Sequence, residues 1–271
     1  MTAKIAKIAK RNHVHLMGNP DASETLMLVH GLGTDQTVWH KITPFFLKHF
    51  KIVLLDHLGS GHSDTSQFQQ HRYLDLNQYA SDLVEVCEAY RLENIHIVGH
   101  SAGAMISALA TLQAPARFKR LVMIAASPRY LQDEGYHGGL SEQDVSRIYS
   151  ELMRNPATAL PALLTEAAIY PEDPDLHAYF SASLQQVNRD HVLTVLCAIL
   201  QSDHRETIRR ITIPTLIIQS RKDYFVPMDV ALYLHHHIPG STLTVIRSKG
   251  HFPQLSAPGE IVAALQSFFT A

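Results

Sequence analysis

Short apolar runs alternate along this chain with longer stretches in which apolar residues return every three or four positions. The runs are Thr25 to His30, Ile52 to Asp56, Ile95 to His100, Leu121 to Ala126, Thr215 to Gln219 and Leu243 to Arg247. Several hold apolar residues in succession, the pattern of strands covered on both faces. An opening hairpin is expected near His13 to Met17. The intervening amphipathic stretches are Thr37 to His49, Leu76 to Tyr90, Ala102 to Gln113, Met228 to His237 and Gly259 to Phe269. In the second, Tyr79, Leu83, Val86 and Tyr90 mark one buried stripe. Such alternation predicts an α/β class domain with a mostly parallel central sheet flanked by crossover helices.

One segment breaks the rhythm. From Pro128 to about Arg205 no strand pattern appears, while Val145 to Met153, Ala157 to Ile169 and Val192 to Leu200 read as helical patches separated by Pro156, Pro161, Pro171 and Pro174. The expected organisation is a core in two parts, 1–127 and 206–271, with a helical cap, 128–205, inserted between them.

Composition narrows the function classes. Hydrophobic residues make up 46% and charged residues 18% of the 271 positions, which excludes the disorder signature. A formal charge of -2 gives no field for nucleic acid. No apolar window is long enough to span a bilayer and the first residues lack a secretory leader pattern, so a soluble, cytoplasmic protein with no integral membrane association is expected. The terminus is expected to fray. Its alternative is a short basic amphipathic turn against anionic lipid, with Lys4, Lys7, Lys10 and Arg11 around Ile5 and Ile8. Cys87 and Cys197 lie in apolar helical patterns, where no disulfide is expected. Despite 18 histidines, no zinc-type spacing occurs, and the run His235 to His237 reads as a solvated helix end. No metal and no cofactor are expected.

The chemistry-bearing signal is Gly99-His100-Ser101-Ala102-Gly103, a GxSxG pattern between an apolar run and a helix-forming segment. In that setting the serine occupies a sharp strand-to-helix turn at a helix N-terminus. A serine hydroxyl needs a base, and the base needs an acid to hold its tautomer. His251 follows the last strand, beside Gly250 and Pro253, and Asp223 follows the strand before it. Loops at that edge of an open sheet converge. The catalytic candidates are therefore Ser101, Asp223 and His251, in the order this topology demands. The candidate oxyanion donors are the backbone amides of Ala102 and of Leu32, in the glycine turn His30-Gly31-Leu32-Gly33. Asp229 reads as a first-turn helix acid. Gly59 and Gly61 in Asp56 to Ser63 supply GxG without a nucleotide-binding continuation, so a turn is the better reading. Gly138-Gly139 reads as a hinge or turn.

These motifs together resemble the α/β-hydrolase superfamily over all but the first ten residues. The stretches Ser127 to Leu131, Gly135 to Leu140 and Ser202 to Arg205 are similar to the cap boundaries of its RsbQ-like subfamily, which includes a bacterial stress-signalling hydrolase and the plant strigolactone and karrikin receptors. The resemblance implies a four-helix cap over a small apolar pocket. It also implies slow hydrolysis of small hydrophobic esters, lactones or butenolide-like ligands, and a signalling protein partner. Leu32 and Ala102 depart from the Phe and Val that relatives often carry, which would enlarge the pocket. Leu160, Leu163, Leu164, Val192, Val195 and Leu196 are pocket candidates that helical spacing assigns rather to the cap's own core. Three readings follow: an acyl hydrolase, a receptor or regulator whose slow hydrolysis serves binding to a protein, and a lyase or C–C bond hydrolase built on the same three side chains.

Overall fold

The computed structural model describes residues 3–154, 178–179, 182 and 188–270. Seven strands form one sheet: β1 (His15–Gly18), β2 (Thr25–Val29), β3 (Lys51–Leu54), β4 (Ile95–His100), β5 (Phe118–Ile124), β6 (Thr215–Lys222) and β7 (Thr242–Lys249), in the order β1-β3-β2-β4-β5-β6-β7. Every neighbouring pair is parallel except β1 with β3. The expected opening hairpin does not form, because β1 skips β2 and pairs with β3, His15 facing Leu54.

The apolar runs work because successive residues serve different cores. Met27, Val29, Val53 and Ile97 join one buried cluster, while Leu26, Leu28, Ile52 and Val98 join the other. On the first face lie α2 (Leu76–Ala89), α3 (Ala102–Gln113) and α6 (Met228–His237). On the second lies α7 (Pro258–Thr270), whose Ile261 and Leu265 pack with Trp39 and Phe46. Asp75 caps α2 by accepting from the Asn77 amide at 2.9 Å.

Two further expectations fail. The stretch 37–49 forms two 3-10 turns, Gln36–Trp39 and Thr43–Phe45, instead of a helix. Pro44 lacks the N–H a continuing helix needs, and Thr37, Val38 and Thr43 are β-branched. The amino terminus does not fray: α1 (Ala3–Arg11) docks on α2, burying Ile8. Arg11 anchors it through Glu85 at 2.6 Å and Asp82 at 3.4 Å. A cleft of about 410 Å³ between them is lined by Lys4, Lys7, Arg11, Asp82 and Glu85 and lies away from the residues singled out for chemistry.

In the segment between β5 and β6, the described helices are α4 (Glu142–Arg154) and α5 (Arg189–Gln201), overlapping two of the predicted patches. The third patch, with Leu160, Leu163 and Leu164, lies outside the described residues. Val192 and Leu196 are buried in the first cluster and Val195 packs against it, as core positions of α5. The chain leaving the sheet and the chain returning are joined: the His204 amide donates to the Pro128 carbonyl at 2.8 Å, Arg129 reaches Asp203 at 3.2 Å, and Arg205 reaches Asp133 at 2.8 Å. Gly139 has φ +103° in a turn closed by the Leu131–Leu140 bridge. Cys87 and Cys197 are free. No helix among the described residues is long and apolar enough to cross a membrane.

Candidate active site

A single residue, Ser101, joins the end of β4 to the start of α3, at φ +55° and ψ −125°. That conformation costs a non-glycine residue about 1–3 kcal/mol, so the surroundings must enforce it. They do. The Ser101 amide donates to the Ile124 carbonyl of β5 at 2.8 Å, and the Ser101 carbonyl accepts from Ala104 at 2.9 Å. Gly99 and Gly103 are the space this turn needs: a Cβ on either would collide with backbone, of Ala104 in the first case and of Val29 and His30 in the second.

Asp223 follows β6. Its Oδ1 accepts from the amides of Phe225 (2.9 Å) and Val226 (3.1 Å), which aims Oδ2 at His251. His251 follows β7, where Gly250, at φ +93°, donates its amide to the Lys222 carbonyl at 2.8 Å and ties the two loops together. The three predicted side chains meet. His251 Nδ1 lies 2.8 Å from Asp223 Oδ2, and Nε2 lies 2.8 Å from Ser101 Oγ. An ionised carboxylate only accepts, so the ring proton sits on Nδ1 and the bare Nε2 receives the serine O–H. All three are buried at the level of the side chain.

The glycine turn after β2 runs beside this serine, since a Cβ on Gly31 would stand 3.0 Å from Ser101 Cβ. Two histidines brace it. The His57 amide donates to His30 Nε2 at 2.9 Å, which leaves the proton on His30 Nδ1 to be donated to the Gly31 carbonyl at 2.8 Å. His57 Nε2 donates to the His30 carbonyl at 3.1 Å. Burial, then repulsion from His30, holds His57 well below the ordinary imidazole range. Among the described residues, the amides of Leu32 and Ala102 donate to no protein acceptor, as two candidate oxyanion donors require.

The remaining sequence readings fall into place around this centre. The Asp56 loop is a turn: Gly59 and Gly61 take positive φ, and Asp56 accepts from the amides of Gln36 and His62, both at 2.9 Å. Asp229 stands in the first turn of α6 and accepts from His137 Nδ1 at 2.9 Å. His235 to His237 form the last turn of α6. Sequence reading missed Tyr130. Its hydroxyl lies 3.3 Å from Ser101 Oγ, and since the serine proton points at His251, the phenol is the donor. Burial raises the Tyr130 pKa well above the ordinary phenol range, which keeps that proton in place. The available signal was its position just past β5, at the sheet edge where the other side chains gather.

Comparison with known proteins identifies the fold. A family described as the α/β hydrolase fold matches residues 24–258. The strigolactone esterase of Arabidopsis thaliana is 34% identical over 255 residues, 94% of each chain. The protein of Petunia hybrida named Karrikin insensitive 2 receptor CA is 35% identical over 260 residues, 95% of each chain. The solved structure of a hydrolase from Oleispira antarctica superposes with a TM-score of 0.94 at 29% identity, covering 100% of this chain and 98% of that one. From the elbow at Ser101 to the sheet order and the relatives in kind, the chain belongs to the α/β-hydrolase family.

Proposed function

We propose that the protein is a serine hydrolase acting on a small hydrophobic ester, lactone or butenolide-like ligand. The observation that carries this reading is the unbroken relay from Asp223 through His251 to Ser101, with both links at 2.8 Å. In the reaction, His251 Nε2 takes the Ser101 proton as Oγ attacks the acyl carbon. The amides of Leu32 and Ala102 hold the oxyanion, and His251 passes its proton to the leaving oxygen. Water, activated by the same imidazole, then releases the acyl group and restores Ser101. Asp223 keeps the ring in the required tautomer throughout. The segment 128–205 acts as the cap, bringing Tyr130 to the serine.

The test is turnover of short p-nitrophenyl esters and of a butenolide panel. Ser101→Ala abolishes it; a variant that hydrolyses as fast as the wild type refutes the mechanism. A second reading is favoured by the relatives, an esterase and a receptor matching over nearly the whole chain. In it, slow hydrolysis serves the binding of a signalling protein partner. Ligand-dependent recovery of one partner in a pull-down, lost in Ser101→Ala, supports it, and the same recovery without ligand removes it.

A further inference from the structure

The residue before the serine, His100, belongs to none of the roles assigned so far. It ends β4, is fully buried, and places Nε2 2.7 Å from the backbone carbonyl oxygen of His251. A carbonyl cannot donate, so Nε2 carries the proton. The ring faces that carbonyl on one side and Gly31 on the other, where an added Cβ would stand 3.1 Å from Nδ1. Phe252 and His251 pack against its plane, with ring centroids 4.7 Å and 5.0 Å away. Its Nδ1 is buried and has no hydrogen-bond partner among the described residues. A buried lone pair left unmatched is a cost, and an apolar side chain of similar size would fill the site without it. What such a side chain would lack is the Nε2 donor.

We infer that His100 is a positioning residue, whose imidazole fixes the loop that carries His251 by donating to that residue's own carbonyl. The inference rests on the serine-hydrolase reading above. His251 is then held at three points: its ring by Asp223, its carbonyl by His100, and the preceding glycine amide by Lys222. The third acts one residue away, whereas the His100 bond acts on the carbonyl of His251 itself. Because His100 is the neighbour of Ser101 in sequence, the base is tied to the same strand end as the group it must deprotonate. Register between Oγ and Nε2 is therefore set from the end of β4 as well as from the paired ends of β6 and β7.

The experiment compares His100→Met, which keeps the volume and removes the donor, with His100→Gln, whose side-chain amide carries an N–H near the position of Nε2. A fluorophosphonate probe reports how fast Ser101 is activated, and p-nitrophenyl acetate gives kcat and KM. His100→Met is expected to slow both labelling and kcat by about tenfold to a hundredfold, the scale of a small misplacement of a reacting group, with KM held within about twofold. His100→Gln is expected to recover most of that loss. Labelling of His100→Met at the wild-type rate overturns the inference, as does an equal loss in both variants accompanied by a collapse of the thermal transition. The wild-type protein supplies a measurement that no folding defect can obscure: ¹⁵N-histidine spectra at pH 7.5 should show His100 as the neutral Nε2–H tautomer, and an Nδ1–H tautomer or an imidazolium overturns it. If Ser101→Ala remains active and probe-reactive, the hydrolase reading fails instead, and the two failures are distinguished.

Discussion

Replacing Gly103 by alanine tests whether the close packing of the elbow against the glycine turn is what aligns the site. The new Cβ would stand 2.7 Å from the Val29 carbonyl oxygen and 2.8 Å from the His30 carbonyl carbon, and nearer still to the His30 carbonyl oxygen. Ordinary contact begins near 3.4 Å, and the nearest atom, the His30 carbonyl oxygen, sets the requirement, so α3 and the end of β2 must separate by roughly 1 Å. Neither neighbour is a flexible side chain; both are backbone. Overpacking of this kind costs about 1–3 kcal/mol, and the better helix propensity of alanine returns about 1 kcal/mol. The net loss of stability is therefore modest. The loss of activity is not, because the separation moves Ser101 away from the His30 to Leu32 turn, and a misplacement approaching 1 Å costs about a hundredfold in rate. The assay is kcat/KM on p-nitrophenyl acetate beside a thermal melt, with Gly259→Ala as the companion. A Cβ at Gly259 meets nothing within 4 Å, so that variant should gain about 0.4–1 kcal/mol and keep full activity. Gly103→Ala with kcat/KM within about threefold of wild type refutes the reasoning.

Asp223→Asn keeps the acceptor for the Phe225 and Val226 amides but turns an N–H toward His251 Nδ1. The ring then adopts the wrong tautomer, and kcat should fall about 10⁴-fold with little change in melting temperature. Stability should fall with acid below pH 6.5. Burial, with neighbouring imidazoles, holds His57 and His100 well below their ordinary value near 6.5 in the folded chain, while the unfolded chain binds their protons freely. Each contributes stability that is complete above pH 6.5 and is lost as the pH drops beneath it, at up to about 1.4 kcal/mol per pH unit. Denaturant midpoints at pH 7.5 and 5.5 measure this, and equal midpoints contradict it. Cys87 should resist thiol reagents in the native protein, because burial pushes its thiol up to about 12. Titration with a chromogenic disulfide should find at most one reactive cysteine before denaturation and two afterwards.

The parts of this molecule set by local pattern were readable from sequence. β4 spans the predicted Ile95 to His100, and the triplet Ser101, Asp223 and His251 could be picked out because its members follow strands in a fixed order. What depends on a distant partner was not readable. α1 persists because Arg11 meets Asp82 and Glu85 on α2, more than seventy positions away. Within 37–49 a helical period was present, but Pro44 and the β-branched residues around it outweighed it. Tyr130 and His100 were invisible for a different reason: each sits in a motif whose other members drew the attention, and only coordinates show what its polar atom touches.

The separation of 150 positions between Ser101 and His251 has a consequence for how the protein is born. A nascent chain that has emerged from the ribosome only as far as the loop after β6 owns Ser101 and Asp223 but not His251 to connect them, so by this mechanism it is chemically silent whatever its degree of compaction. Reactivity arrives with the docking of β7, among the most non-local pairings with the elbow and therefore among the slowest to be completed. During refolding from denaturant, the return of turnover should thus lag the return of helical signal, making the enzyme a clock for its own final act of assembly.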